Sequence, residues 1–217
     1  MIKAVIFDLD GTLVNSLEDL AASTNFALGK FGFPLHEVEK YKYFVGDGMQ
    51  KLIERVLPEN ARDTETKAQV FDAFWNHYKE HYVDKTKAYN GIKELLQSLK
   101  ENKIKLIVIS NKAEEMAITV VGKLLPDIFD LVCGKVDNYP AKPDPSLTNK
   151  IISDMGLVPS DCVFVGDSGM DAATAVNVGC VGIGVLWGFR MEDELKSNGA
   201  DYIVNNPSEI LDIIKEL

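Results

Sequence analysis

Ala4-Val5-Ile6-Phe7-Asp8-Leu9-Asp10-Gly11-Thr12 sets an apolar run against two acids and a glycine. A short, wholly apolar stretch of this kind reads as a strand buried on both faces, the habit of a parallel sheet. The signature recurs at Lys105–Ser110, Phe129–Cys133, Cys162–Asp167 and Val181–Val185, with a weaker copy at Tyr202–Val204. Helical patterns follow at Ala113–Leu124, Pro145–Met155, Met170–Val178 and Ser208–Leu217. Strands alternating with helices predict right-handed crossovers and a doubly wound, mostly parallel, three-layer α/β core.

One connection breaks the rhythm. About ninety residues separate the first strand from the second, far more than a crossover helix needs. Leu17–Phe31, His36–Tyr41, Gly48–Leu57 and Thr64–Tyr82 read as helices, and Phe71, Phe74, Trp75 and Tyr78 recur at helical spacing as a core stripe. The expectation is an all-helical domain over 16–87, inserted into a Rossmann-like core made of 1–15 and 88–217.

Composition narrows the function. At 217 residues, 46% hydrophobic and 26% charged, the chain has the make-up of a globular protein. Twenty-three basic residues against thirty-three acidic ones leave a net charge of −10. That argues against a nucleic-acid partner and against an anionic membrane surface, and an anionic substrate would need a local cation. No apolar run approaches the roughly 20 residues that span a bilayer, and Met1–Phe7 runs directly into Asp8 without a signal-peptide core. Cys133, Cys162 and Cys180 are odd in number and lack CxxC spacing. Buried reduced thiols, a cytoplasmic location and a monomer or small homo-oligomer are expected.

In open α/β sheets, ligands bind beyond the carboxyl ends of the strands, so the residues at those ends matter most. Asp8 and Asp10, two apart, point to the same side and repel unless one is protonated or a cation lies between them. Gly11 permits a sharp turn that turns backbone N–H groups towards an anion. The third acidic ligand of an EF-hand is missing. Ser110 could hydrogen-bond a phosphoryl oxygen, or Ser110 and Asn111 could simply cap the next helix. Lys142 stands in a loop stiffened by Pro140, Pro143 and Pro145, although any single lysine defaults to a solvated surface. Asp167 emerges at a strand tip and Asp171 lies one helical turn later. Gly166-Asp167-Ser168-Gly169 also resembles the nucleophile segment of trypsin-like proteases. That reading fails, because His36, His77 and His81 all fall in the helical insertion. Gly182, Gly184 and Gly188 do not fit GxGxxG, and no P-loop is present.

Taken in order, DxDGT, a strand ending in serine, a lysine before proline and GDSxxxD resemble the haloacid dehalogenase superfamily. The likeness runs over the whole chain, including a helical cap inserted after the first strand. Phe44-Val45-Gly46-Asp47-Gly48, Leu52-Ile53-Glu54-Arg55, Ser110-Asn111-Lys112 and Gly184-Val185-Leu186-Trp187-Gly188 look like its phosphoglycolate phosphatase branch. The resemblance implies Asp8 as nucleophile and Asp10 as acid and base, with a contact from Thr12 or the cap keeping Asp10 protonated. It implies Mg2+ held by the Asp8 carboxylate, the Asp10 carbonyl and Asp167, with Asp171 acting through water or orienting Asp167. Lys142 would pair with Asp8 and the phosphoryl group, while Ser110, Asn111, Gly11 and Thr12 contact substrate. In the cap, Gly46, Asp47 and Gly48 would form a loop towards the site, and Lys42, Lys51 and Arg55 are candidates for a substrate carboxylate. The implied activity is a Mg2+-dependent phosphatase on a small phosphorylated metabolite, 2-phosphoglycolate first. Inorganic pyrophosphatase and sugar-phosphate phosphatase or mutase activities share the same core motifs. Dehalogenation needs no metal and so leaves Asp167 and Asp171 unexplained. A phospho-aspartate receiver shares the acid cluster but has no cap of about seventy residues.

Overall fold

The computed structural model describes residues 1–46 and 48–217, and Asp47 lies outside the described residues. The chain forms two compact units, Met1–Asn15 with Ala88–Leu217, and Ser16–Lys87.

The first unit is built on six strands: β1 Ala4–Phe7, β2 Lys105–Ala113, β3 Leu131–Lys135, β4 Cys162–Gly166, β5 Val181–Val185 and β6 Tyr202–Val204. Their order is β3-β2-β1-β4-β5-β6, and every neighbouring pair is parallel. This is the doubly wound order 3-2-1-4-5-6, whose switch point falls between β1 and β4. Phe7 lies level with Val108 on one side and Val165 on the other, so the residues that follow these strands emerge at one sheet edge. Both pleats are buried. Ala4, Ile6, Ile107, Ile109, Cys162 and Phe164 pack with Ile151 and Ile152 of helix Ser146–Asp154 and Ala175 and Val178 of helix Gly169–Val178. The other pleat holds Val5, Phe7, Leu106, Val108, Val163 and Val165, none more than 1% exposed.

Several details of this unit depart from expectation, among them a helix at Glu192–Ser197 outside the expected set. The second strand runs past Ser110 to Ala113, with a register shift against β3 between Ile109 and Ala113. The third strand starts at Leu131 and ends at Lys135, two residues later than its apolar run. A helix at Ile92–Glu101, absent from the expected set, buries Ile92, Leu95, Leu96 and Leu99, and Gly91 enters it at φ +82°.

The second unit holds helices Leu17–Lys30, Tyr41–Phe44, Met49–Val56 and Thr64–His81. Asp63 caps the last of these by accepting from the Thr66 N–H at 2.9 Å. Phe74 and Tyr78 are fully buried and stack at 5.2 Å. His36–Tyr41 does not form the expected helix: a 3-10 turn at Val38–Lys40 leads into a single helical turn. The Asn25 side chain explains this, because it accepts from the His36 N–H at 3.0 Å and donates to the His36 carbonyl at 2.8 Å, competing for helical backbone groups. Buried Asp19 accepts from the backbone of Lys85 and Thr86 and from the Thr86 hydroxyl at 2.6–3.1 Å, tying the start of the unit to its end. Among the described residues, no helix is long and apolar enough to cross a membrane.

Candidate active site

Asp8 leaves β1 with its N–H still donating to the Val165 carbonyl at 2.9 Å, so sheet pairing holds the residue to its last atom of backbone. Its carboxylate is buried. The Lys142 Nζ, also buried, lies 2.6 Å from Asp8 Oδ1 and 2.6 Å from Asp171 Oδ1. Asp8, Asp167 and Asp171 each present a carboxylate oxygen within 4.8 Å of the others. Three carboxylates and one ammonium therefore share a buried pocket at the switch point.

Each member is locked by its neighbours. Asp171 completes the capping box of helix Gly169–Val178, accepting from the Ser168 N–H at 3.1 Å and hydroxyl at 2.6 Å, while its other oxygen faces Lys142. The capping and functional readings of this residue thus coexist. Asp167 accepts from the Phe189 N–H at 2.7 Å and the Thr12 hydroxyl at 3.2 Å. The Trp187 indole N–H donates to the Thr12 carbonyl at 2.9 Å, which fastens the turn after β1 to the loop after β5. Glycine is required where these loops meet. A Cβ on Gly11, at φ +96°, would stand 2.3 Å from Asp167 Oδ2, and one on Gly188 would stand 2.3 Å from the Asp167 Cβ.

Lys142 owes its aim to Asn111. The Asn111 side chain accepts from the Lys142 N–H at 2.9 Å and donates to the Lys142 carbonyl at 3.3 Å. The Asn111 amide thus clamps the lysine's backbone, a contact the sequence does not signal. Ser110 is buried, and its hydroxyl oxygen accepts from the Lys112 N–H at 3.2 Å. Thr12 likewise binds Asp167 and not Asp10. The partner of Asp10 is Lys112, whose Nζ lies 3.2 Å from both carboxylate oxygens. Lys112 carried no assigned role in the sequence reading; the one signal was its place two residues after Ser110, on the same side of an extended strand.

Electrostatics follow from burial. Desolvation, with the charges of Asp171 and Asp10 adding and Lys142 opposing, pushes the Asp8 carboxyl up to about 7. Burial and the charges of Asp8 and Asp171 raise Asp167 well above the usual carboxylate range, against the Phe189 and Thr12 hydrogen bonds. Burial alone would lower Lys142, but Asp171 and Asp8 outweigh it and hold the ammonium more firmly protonated.

The remaining candidates belong to the helical unit. Gly46 and Gly48 adopt φ +113° and +86°, and Gly48 caps helix Met49–Val56. Lys42 pairs with Glu39 at 2.9 Å, Lys51 with Glu54 at 3.3 Å, and Arg55 donates to the Phe44 carbonyl at 3.1 Å. Asp47 lies outside the described residues.

A first-strand aspartate thus meets a buried lysine and two later carboxylates at the switch point of a doubly wound sheet. A family model described as haloacid dehalogenase-like hydrolase matches residues 5–185, and the chain belongs to that family. It is 36% identical to the phosphoglycolate phosphatase of Chromobacterium violaceum over 99% of this chain and 97% of that protein. It is 30% identical to the phosphoglycolate phosphatase of Aquifex aeolicus over 98% and 96%. Among solved structures, a predicted phosphoglycolate phosphatase from Haemophilus somnus superposes with a TM-score of 0.90 at 29% identity, covering 98% of each chain. A predicted phosphatase from Clostridium acetobutylicum gives 0.87 at 28% identity over 100% of each. The chain is a phosphatase of this family.

Proposed function

We propose that the chain is a Mg2+-dependent phosphomonoesterase that hydrolyses a small phosphorylated acid, 2-phosphoglycolate first, through a phosphoryl group carried on Asp8. The observation that carries this reading is the convergence of Asp8, Lys142, Asp167 and Asp171 on one buried point beside β1.

The residues present suit the metal. Three hard oxygen donors within 4.8 Å match a divalent cation that prefers carboxylates and retained water. Burial, with the neighbouring carboxylates adding, raises the Asp8 and Asp167 carboxyls even though Lys142 opposes the shift at Asp8, as expected of donors that a further cation would relieve. The cradle of Gly11 and Gly188 leaves Asp167 no room to retreat. Asp8, Asp167 and Asp171 would hold Mg2+, with the Asp10 carbonyl alongside, and the cation would neutralise charge that builds on the phosphoryl oxygens.

The chain's own groups perform the steps. An Asp8 carboxylate oxygen attacks phosphorus while the bond to the substrate's ester oxygen breaks. Lys142 neutralises Asp8 before the attack and the equatorial oxygens during it. Asp10 gives its proton to the departing ester oxygen, then takes one from the water that attacks the phosphoryl group and frees Asp8. Ser110, at the tip of β2, is the candidate donor to a phosphoryl oxygen. The helical unit, with Lys42, Arg55, Gly46 and Gly48, is assigned the choice of substrate. The relatives' named activity favours phosphoglycolate over pyrophosphate and sugar phosphates.

The test is phosphate release from 2-phosphoglycolate, pyrophosphate, hexose phosphates and nucleotides, with Mg2+ and with EDTA, for wild type and Asp8→Asn. Turnover of phosphoglycolate that needs both Mg2+ and Asp8 is expected. An Asp8→Asn protein that keeps wild-type turnover overturns the nucleophile assignment. Preference for pyrophosphate overturns the substrate.

A further inference from the structure

We propose that Lys112 is a positioning residue that fixes the carboxylate of Asp10 for proton transfer. The inference rests on the acid and base role proposed for Asp10. Four carboxylates gather at the β1 tip, and two buried lysines take three of them, Asp167 being held by the Phe189 N–H and the Thr12 hydroxyl. Lys142 takes Asp8 and Asp171. Lys112 takes both oxygens of Asp10 at 3.2 Å, from a side chain only 2% exposed.

The strand geometry explains how. β2 continues extended beyond Ser110, and Ser110, Asn111 and Lys112 fall in the register shift between the Ile109 and Ala113 pairs with β3. On an extended strand, residues 110 and 112 share a side. Ser110 and Lys112 are accordingly buried while Asn111 and Ala113 are half-buried. The Lys112 N–H also donates to the Ser110 hydroxyl oxygen at 3.2 Å, linking the lysine's backbone to the candidate phosphoryl donor.

Asp10 lies two residues from Asp8 on a turn that Gly11 permits only at φ +96°. Repulsion from Asp8, Asp167 and Asp171 alone would let its carboxylate swing among outward rotamers; its side chain is 21% exposed. A buried ammonium centred on both oxygens leaves one orientation. A proton donor must stand within hydrogen-bond reach of its acceptor, and Lys112 fixes where that donor stands.

The experiment compares kcat/KM for an alkyl phosphate that the wild-type protein hydrolyses, 2-phosphoglycolate first, with kcat/KM for p-nitrophenyl phosphate. The alkoxide needs a proton to leave and the nitrophenolate does not. Lys112→Met is expected to lower the alkyl-to-aryl ratio by roughly 10², with Asp10→Asn shifting it the same way. The ratio is internal to the active fraction, so partial unfolding does not move it. Lys112→Gln, neutral and polar, is read identically if the methionine variant is insoluble. A normal ratio in the Lys112 variants beside a shifted ratio in Asp10→Asn overturns the positioning role and leaves the acid intact. Normal ratios in all of them overturn the acid role of Asp10, and this inference with it.

Discussion

Replacing Asp8 with Asn should stabilise the metal-free protein, by an amount that grows from about pH 4 and is complete near neutral pH. The Asp8 carboxyl stands near 3.8 in an unfolded chain and is pushed up to about 7 in the fold, chiefly by desolvation. Between those values the folded state binds a proton that the unfolded state has released, so stability falls as pH rises from about 4 to about 7. At about 1.4 kcal/mol per pH unit, the loss reaches at most about 4 kcal/mol at pH 8. Asparagine has nearly the same shape and no charge, so it escapes this loss. Asp167 is relieved of one adjoining charge in the variant, which adds with the same sign. For a chain of this length, about 4 kcal/mol corresponds to a rise in Tm of roughly 8–16 °C. Thermal unfolding of both proteins in EDTA at pH 5 and pH 8 measures it. Titrating groups elsewhere cancel in the difference between the two proteins. A difference that is equal at both pH values, or that favours wild type at pH 8, refutes the argument that Asp8 is desolvated without sufficient compensation.

Two further substitutions probe the scaffold. Gly188→Ala would place a methyl 2.3 Å from the Asp167 Cβ and 2.5 Å from the Gly11 carbonyl oxygen, neither of which can move freely; a stability loss of about 1–3 kcal/mol and a fall in kcat of about 10² are expected, and an unimpaired enzyme contradicts the cradle. Asn111→Ala removes both hydrogen bonds to the Lys142 backbone; it should cost about 1–3 kcal/mol in urea melts and loosen Lys142, so a wild-type melt with wild-type turnover contradicts the clamp.

The strands were legible because each is an unbroken apolar run, and a sheet covered on both faces demands that pattern. Their tips were legible for the same reason, since Asp8 and Asp167 are the first charges after buried strands. Ends set by polar residues were not. β2 continues through Ser110, Asn111 and Lys112 although none is a strand former, because pairing and burial override local preference there. The helix at Ile92–Glu101 had its signal in the spacing of Leu95, Leu96 and Leu99, but sat where the inserted unit rejoins the core. Lys112 and Asn111 were opaque in a stronger sense. A lysine in a polar stretch reads as solvated, and only the meeting with Asp10, 102 residues away in the chain, turns it inward. Thr12 shows the converse: the family resemblance implied a contact to Asp10 from Thr12 or the cap, and the Thr12 hydroxyl donates to Asp167.

The central place of β1 carries a consequence for biosynthesis. Ala4 pairs with Lys105 on one side and Cys162 on the other, so during synthesis β1 waits until Lys105 for its first flank and until Cys162 for its second. Over that interval Ala4–Phe7 is an uncovered greasy edge, of the kind that holdase chaperones bind. Ser16–Lys87, by contrast, is a contiguous stretch of helices that can collapse on its own contacts while translation continues. Elongation that stalls before codon 162 would leave a finished helical lobe attached to a sticky, half-made sheet, making that window the nascent chain's greatest exposure to misassembly.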